Sequence, residues 1–137
     1  MRLRIKELEM SDSARHEYLE SHQLRGSALA LDIERESKEI LEAASAAGVK
    51  HAAKTLVKDG PLRLIVLGFR SGSSLREHRA GGPVSIQVLS GTAEITTDEG
   101  AHTLSPGSAL VLASDVAHSV TAKADAVLLL TIAWKVR

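Results

Sequence analysis

Residues 84–112 read VSIQVLSGTAEITTDEGAHTLSPGSALVL, four short runs parted by Ser90-Gly91, Asp98-Glu99-Gly100 and Ser105-Pro106-Gly107. Val84, Ile86 and Val88 alternate with Ser85 and Gln87, so a pleated strand would turn the first set to one face and the second set to the other. The runs Val84–Leu89, Thr92–Thr97, Ala101–Leu104 and Ser108–Ala113 each have strand length, and the clusters between them favour turns. Working outward, Ala117–Ala122 and Ala126–Val136 extend the series downstream. Upstream, Leu62–Phe69 begins it and Ser71–Ser74 forms a loop. No helical period separates these strands, which disfavours a parallel sheet with crossover helices. The expected fold class is all-β, an antiparallel barrel or double-stranded jelly roll, preceded by an α-helical N-terminal segment.

The pattern changes near Gly60-Pro61. Before it, Leu29, Ile33, Ile40, Ala44 and Ala47 recur along one helical face. Asp32 suits the N-cap, Glu34 and Lys38 form an i,i+4 pair, and Gly48 follows as a stop. A weaker, mostly polar pattern from about Ser13 to Arg25 reads as an earlier helix or, equally, as a mobile arm. The division that follows is a helical arm over residues 1–50 and a barrel over 51–137. So small a barrel exposes much of its surface, so the arm or a second copy is expected to cover part of it.

Composition narrows the function classes. Seventeen basic and seventeen acidic residues cancel, against a dedicated nucleic-acid binder. The aromatics are Tyr18, Phe69 and Trp134 alone, too few for a base-stacking platform. There is no cysteine, so disulfides and thiolate metal sites are excluded. The charged N-terminus lacks the apolar stretch of a signal peptide, and Ala126–Leu130 is too short to span a bilayer. A cytoplasmic location is expected.

The stretch from Gly72 to Gly91 resembles the first signature of the cupin superfamily: a glycine, five residues, His-x-His, a short spacer, Glu, six residues and a glycine. Gly72, His78, Ala80, Val84 and Gly91 stand at those spacings. The second signature begins at Gly107, after Pro106, and expects proline, glycine, histidine and asparagine where Ala113, Asp115, His118 and Ala122 stand. The resemblance covers roughly residues 52–137 and is to small stand-alone cupins. It implies a metal-lined lumen held by three histidines and a glutamate. Two of those four positions are kept, His78 and His118; Ala80 and Val84 cannot ligate. Two imidazoles fall short of the three protein ligands that hold most zinc sites.

The expected pocket is therefore lined by His78, His118, Arg76, Ala80 and Val84, the two histidines approaching each other across the barrel interior. A small molecule, anionic if the arginines at 63, 70, 76 and 79 take part, is the expected ligand. Guanidinium forks match carboxylate and phosphate. The bland alternative places Arg63 outside by strand alternation and the other three in solvated loops. A divalent transition metal on His78 and His118 is the cofactor to test, and a metal-dependent oxygenase or isomerase is the second reading. A structural or interaction module is the third. His16, His22 and His51 are expected at the surface, as is His102. Gly81-Gly82-Pro83 reads as a turn and Trp134 as a core or interface residue. Ser114, Asp115 and His118 do not make a triad by adjacency alone. Open sheet edges in a short barrel suggest a homodimer, with the helical arm and outer sheet edge as contacts.

Overall fold

The computed structural model describes residues 26–135. The helix or arm expected at 13–25, with His16 and His22, lies outside them. One helix, α1 (Ile33–Ala46), precedes nine strands: β1 (His51–Asp59), β2 (Leu62–Phe69), β3 (Ser74–His78), β4 (Val84–Ser90), β5 (Ala93–Thr97), β6 (Gly100–Leu104), β7 (Ala109–Leu112), β8 (His118–Ala122) and β9 (Ala126–Ala133). They form a five-stranded sheet in the order β1-β2-β9-β4-β7 and a four-stranded sheet in the order β3-β8-β5-β6. Every strand pair is antiparallel. This is the expected all-β double-sheet barrel with a helix before it. No helix among the described residues is long and apolar enough to cross a membrane.

Two observations correct the sequence reading. Gly60-Pro61 is the tip of the β1–β2 hairpin and not a boundary, because His51–Asp59 pairs along the length of β2. The segment after the Ser71–Ser74 loop is also a strand, β3, paired with β8.

The five-stranded sheet is covered on its inner face by the other sheet, and on its outer face, over β1, β2 and part of β9, by α1. Toward the barrel interior it turns Ala53, Ile65, Leu67, Phe69, Val84, Ile86, Leu128 and Leu130, which meet Leu75, Ile95 and Val120 of the other sheet. Toward the outside it turns Ala52, Leu56, Val66 and Val127 against Ile40 and Ala44 of α1. Full burial of a side chain such as Ile40 contributes about 2 kcal/mol.

Asp32 caps α1, accepting a hydrogen bond from the Arg35 amide at 3.1 Å. Arg35 and Glu39 lie 3.9 Å apart as an i,i+4 pair. Glu36 adds a buried tether, accepting from Lys54 Nζ of β1 at 2.9 Å. The helix can lie this close because β2 carries Gly68 at the contact. A Cβ there would meet the Ile40 carbonyl oxygen at 2.8 Å. The helix ends at Ala47, which is extended, with Gly48 following.

Candidate functional site

The site begins with two strand ends. On β8, His118, Val120 and Ala122 alternate inward and are all buried. On β3, Leu75 pairs with Val120 and His78 with His118, with an irregularity in register between them. Leu75 and His78 are three residues apart, so strict alternation would send them to opposite faces. The irregularity turns His78 back inward, the usual effect of a bulge on the side chain beside it. His78 and His118 are thus direct cross-strand neighbours on one sheet, with ring centroids 4.2 Å apart and planes at 61°. They meet inside the barrel side by side, not across its width as expected.

Each ring is held in the same way. The Nδ1 of His78 donates to the Arg76 carbonyl at 2.9 Å, and that of His118 to the Val116 carbonyl at 3.0 Å. A carbonyl only accepts, so in the neutral ring Nδ1 carries the proton and Nε2 keeps its lone pair. Burial, with the neighbouring His118, lowers the pKa of His78 to about 4, the Arg76 carbonyl offsetting a part. Burial also lowers His118, against the Val116 carbonyl. Near neutral pH the pair is two uncharged imidazoles, each offering Nε2 as an acceptor.

The other expected pocket residues divide. Ala80 and Val84 are buried in the interior apolar cluster. The Arg76 side chain is exposed, and what it gives the site is its backbone carbonyl. Gln87 is exposed, as alternation predicts, and so is His102, expected outside because it lies next to a turn. Asp115 sits in the loop before β8, where its carboxylate accepts from Lys135 at 3.0 Å and from Ser114 at 3.3 Å. Because His118 Nδ1 is committed to Val116, Ser114, Asp115 and His118 form no relay.

The implied metal does not fit this donor set. With Ala80 and Val84 at the other two ligand positions, no cluster of three or more His, Asp or Glu side chains that could hold an ion occurs among the described residues.

Two buried polar residues overturn expectations. Arg63 faces the interior at 2% exposure. Its Nη1 donates to the Gly60 and Leu62 carbonyls at 2.6 and 2.9 Å, and its guanidinium lies 5.9 Å from the centroid of the Trp134 ring. The hairpin carbonyls and the indole face make burial of a cation tolerable. Its parity with Ile65, Leu67 and Phe69 is the sequence signal that identifies it. His51 is 4% exposed and packs against Phe69, ring centroids 5.6 Å apart, at the end of β1 away from the Gly60 turn. Burial lowers its pKa; the nearby Val49 carbonyl offsets part of this without a well-aligned hydrogen bond. Only recognition of β1 as a strand could have found it.

A second concavity lies on the outer face of the five-stranded sheet, beyond the reach of α1. It is an apolar groove of about 370 Å³ lined by Leu62, Val111, Thr131 and Ala133 among others. Leu62 and Val111 are 40% and 70% exposed.

No protein-family model matches the chain, and no curated protein sequence matches it. Solved structures do. An RmlC-like cupin protein from Desulfovibrio desulfuricans is 26% identical, covering 61% of this chain and 81% of its own, with a TM-score of 0.57. A cupin superfamily protein from Desulfitobacterium hafniense is 21% identical over 62% of this chain and 78% of its own, with a TM-score of 0.60. Salicylate 1,2-dioxygenase from Pseudaminobacter salicylatoxidans is 19% identical, with a TM-score of 0.64; the match covers 72% of this chain but 33% of the enzyme.

Proposed function

We propose that this chain, a cupin barrel, binds a small hydrogen-bond-donating molecule at the His78–His118 end of its lumen. The observation that carries the reading is the paired tautomer. Two neutral rings, each fixed at Nδ1 by a carbonyl, offer two Nε2 acceptors side by side in an apolar interior. Such a pair suits a hydroxylated ligand, because two fixed acceptors side by side select a molecule that places donors against them. The exposed cations Arg76, Arg79 and Lys135 flank the same strand ends. They favour a ligand that also carries a carboxylate. Binding and positioning are the role proposed, with no reaction step assigned.

The test is calorimetric titration with a panel of small hydroxylated acids, salicylate among them, beside elemental analysis of the purified protein. Wild type is expected to bind a member of the panel. His78→Ala and His118→Ala are each expected to fold and to bind it about three- to tenfold more weakly, the loss of one hydrogen bond. Equal affinity in wild type and both variants would sink the reading. Stoichiometric transition metal that survives dialysis would replace it with a metal-dependent one.

For the outer groove we propose a second copy of the chain as occupant. The groove reaches Val111 on β7, an open edge of the five-stranded sheet, and none of its lining residues is charged. Two copies meeting there would cover both the edge and the apolar face without opposing like charges. Sedimentation at micromolar concentration is expected to give a dimer, and Val111→Glu a monomer. A monomeric wild type would refute this.

A further inference from the structure

The His78–His118 end of the barrel is closed by three chain segments, residues 79–83, 113–117 and 133–135, and Asp115, in the second, ties it to the other two. Its amide donates to the Ala80 carbonyl at 3.1 Å, and its own carbonyl accepts from Arg79 Nη1 at 2.7 Å. Its carboxylate accepts from Lys135 Nζ at 3.0 Å. Lys135 in turn donates its amide to the Gly81 carbonyl at 3.1 Å. Between Ala133 and Lys135 lies Trp134, 5% exposed, whose ring sits so close to Gly81 that an added Cβ would meet it at 2.9 Å. The segments held in this way are the ones that carry the rings. Ala80 is two residues after His78, and Val116, next to Asp115, holds His118.

Asp115 is an unusual residue for this duty. Its φ is +65°, the left-handed region that favours glycine and that the resembled signature fills with glycine. An aspartate here accepts backbone strain, and what its side chain adds is the link to Lys135. That link is weak, because the two side chains are 58% and 59% exposed. A tie of this kind adds to the backbone hydrogen bonds that hold these segments, and it yields easily.

We infer that Asp115 and Lys135 form an access latch: their ion pair keeps the strap of residues 113–117 and 133–135 closed over His78 and His118, and its opening admits the ligand. The inference rests on reading this end of the lumen as the binding site, but its test does not need the ligand.

Carbethoxylation by diethyl pyrocarbonate at neutral pH, followed residue by residue by mass spectrometry, reads the access of each neutral imidazole. The exposed His102 calibrates the reagent, and the buried His51, at the opposite end of the barrel, reports general loosening. Asp115→Gly removes the carboxylate and suits the left-handed φ. Lys135→Ala breaks the same pair and leaves φ untouched. In both variants His78 and His118 are expected to react roughly fivefold faster, the loss of one exposed ion pair converted to a ratio. The rate at His51 should stay unchanged in both variants, and so should the melting temperature in Lys135→Ala. Raised salt should bring wild type toward the variants. Unchanged rates at His78 and His118 overturn the latch. So does equal acceleration at His51, which would mark general loosening. Faster access in the variants of a protein that binds no acid would keep the latch and remove the ligand reading.

Discussion

Unfolding in urea is expected to show the protein about 2 kcal/mol or more less stable at pH 4.5 than at pH 7, most of the loss falling below pH 6.5. The sign follows from where protons bind. The ordinary histidine pKa is 6.5, and burial with the neighbouring His118 brings His78 to about 4 in the folded protein. Between those values the unfolded chain binds a proton at this residue and the folded chain does not. Stability therefore falls as pH falls, by about 1.4 kcal/mol per pH unit, and is regained in full above 6.5. His118 and His51 are lowered as well, both chiefly by burial, so they act in the same direction. Asp115 is also lowered, by its hydrogen bond from Lys135, and Asp125, by the Ser71 amide and Arg70. Their window lies below the ordinary carboxylate value of 3.8 and does not overlap that of the histidines. His78→Leu should flatten the slope between pH 6.5 and 4, because it removes the buried imidazole with the lowered pKa. A urea midpoint that does not move between pH 7 and 4.5 would show that these rings are not buried neutral in solution.

The strands that could be read from the sequence are those with one consistent pattern. Leu62–Phe69 matches β2 at both ends, and the run Val84–Leu89 becomes β4, one residue longer, with its expected faces: Val84, Ile86 and Val88 inward and Gln87 exposed. β1 escapes because both of its faces are covered, one by the barrel interior and one by α1. Its sequence HAAKTLVKD then shows no polar side, and the alternation that marks a half-exposed strand is missing. β3 escapes because it is five residues long, carries Arg76 and Glu77 in solvent, and breaks register before His78. The histidine pair was accessible only through the spacing of the family signature, since alternation from Leu75 would point His78 outward. The position of Asp115 shows what spacing can and cannot carry. It marks where the backbone must turn left-handed, but not that a carboxylate placed there reaches Lys135.

Gly91→Ala is expected to cost about 2–4 kcal/mol, a large share of the 5–15 kcal/mol that holds typical domains together. Gly91 ends the first signature and turns the chain from β4 into β5 at φ +77°. A Cβ there would fall on the Asp125 carbonyl oxygen and lie 2.7 Å from Ala126 Cα. These are backbone atoms, and they have little freedom to retreat. The Asp125 carboxylate accepts from Arg70 at 2.9 Å and from the Ser71 amide at 2.8 Å. The next residues, Ala126 and Val127, are fully buried. The cost thus has two parts, about 1 kcal/mol for a side chain at positive φ and about 1–3 kcal/mol for the forced overlap. Gly107→Ala separates them. Gly107 has φ +90° but open space around its Cβ position, so its substitution should cost only about 1 kcal/mol, the conformational part. Urea midpoints of the two variants decide the matter. Equal losses would mean that the Gly91 turn is needed only for its φ; a clearly larger loss at Gly91 would mean that the close approach of the β4–β5 turn to the Asp125 backbone is what excludes a side chain there.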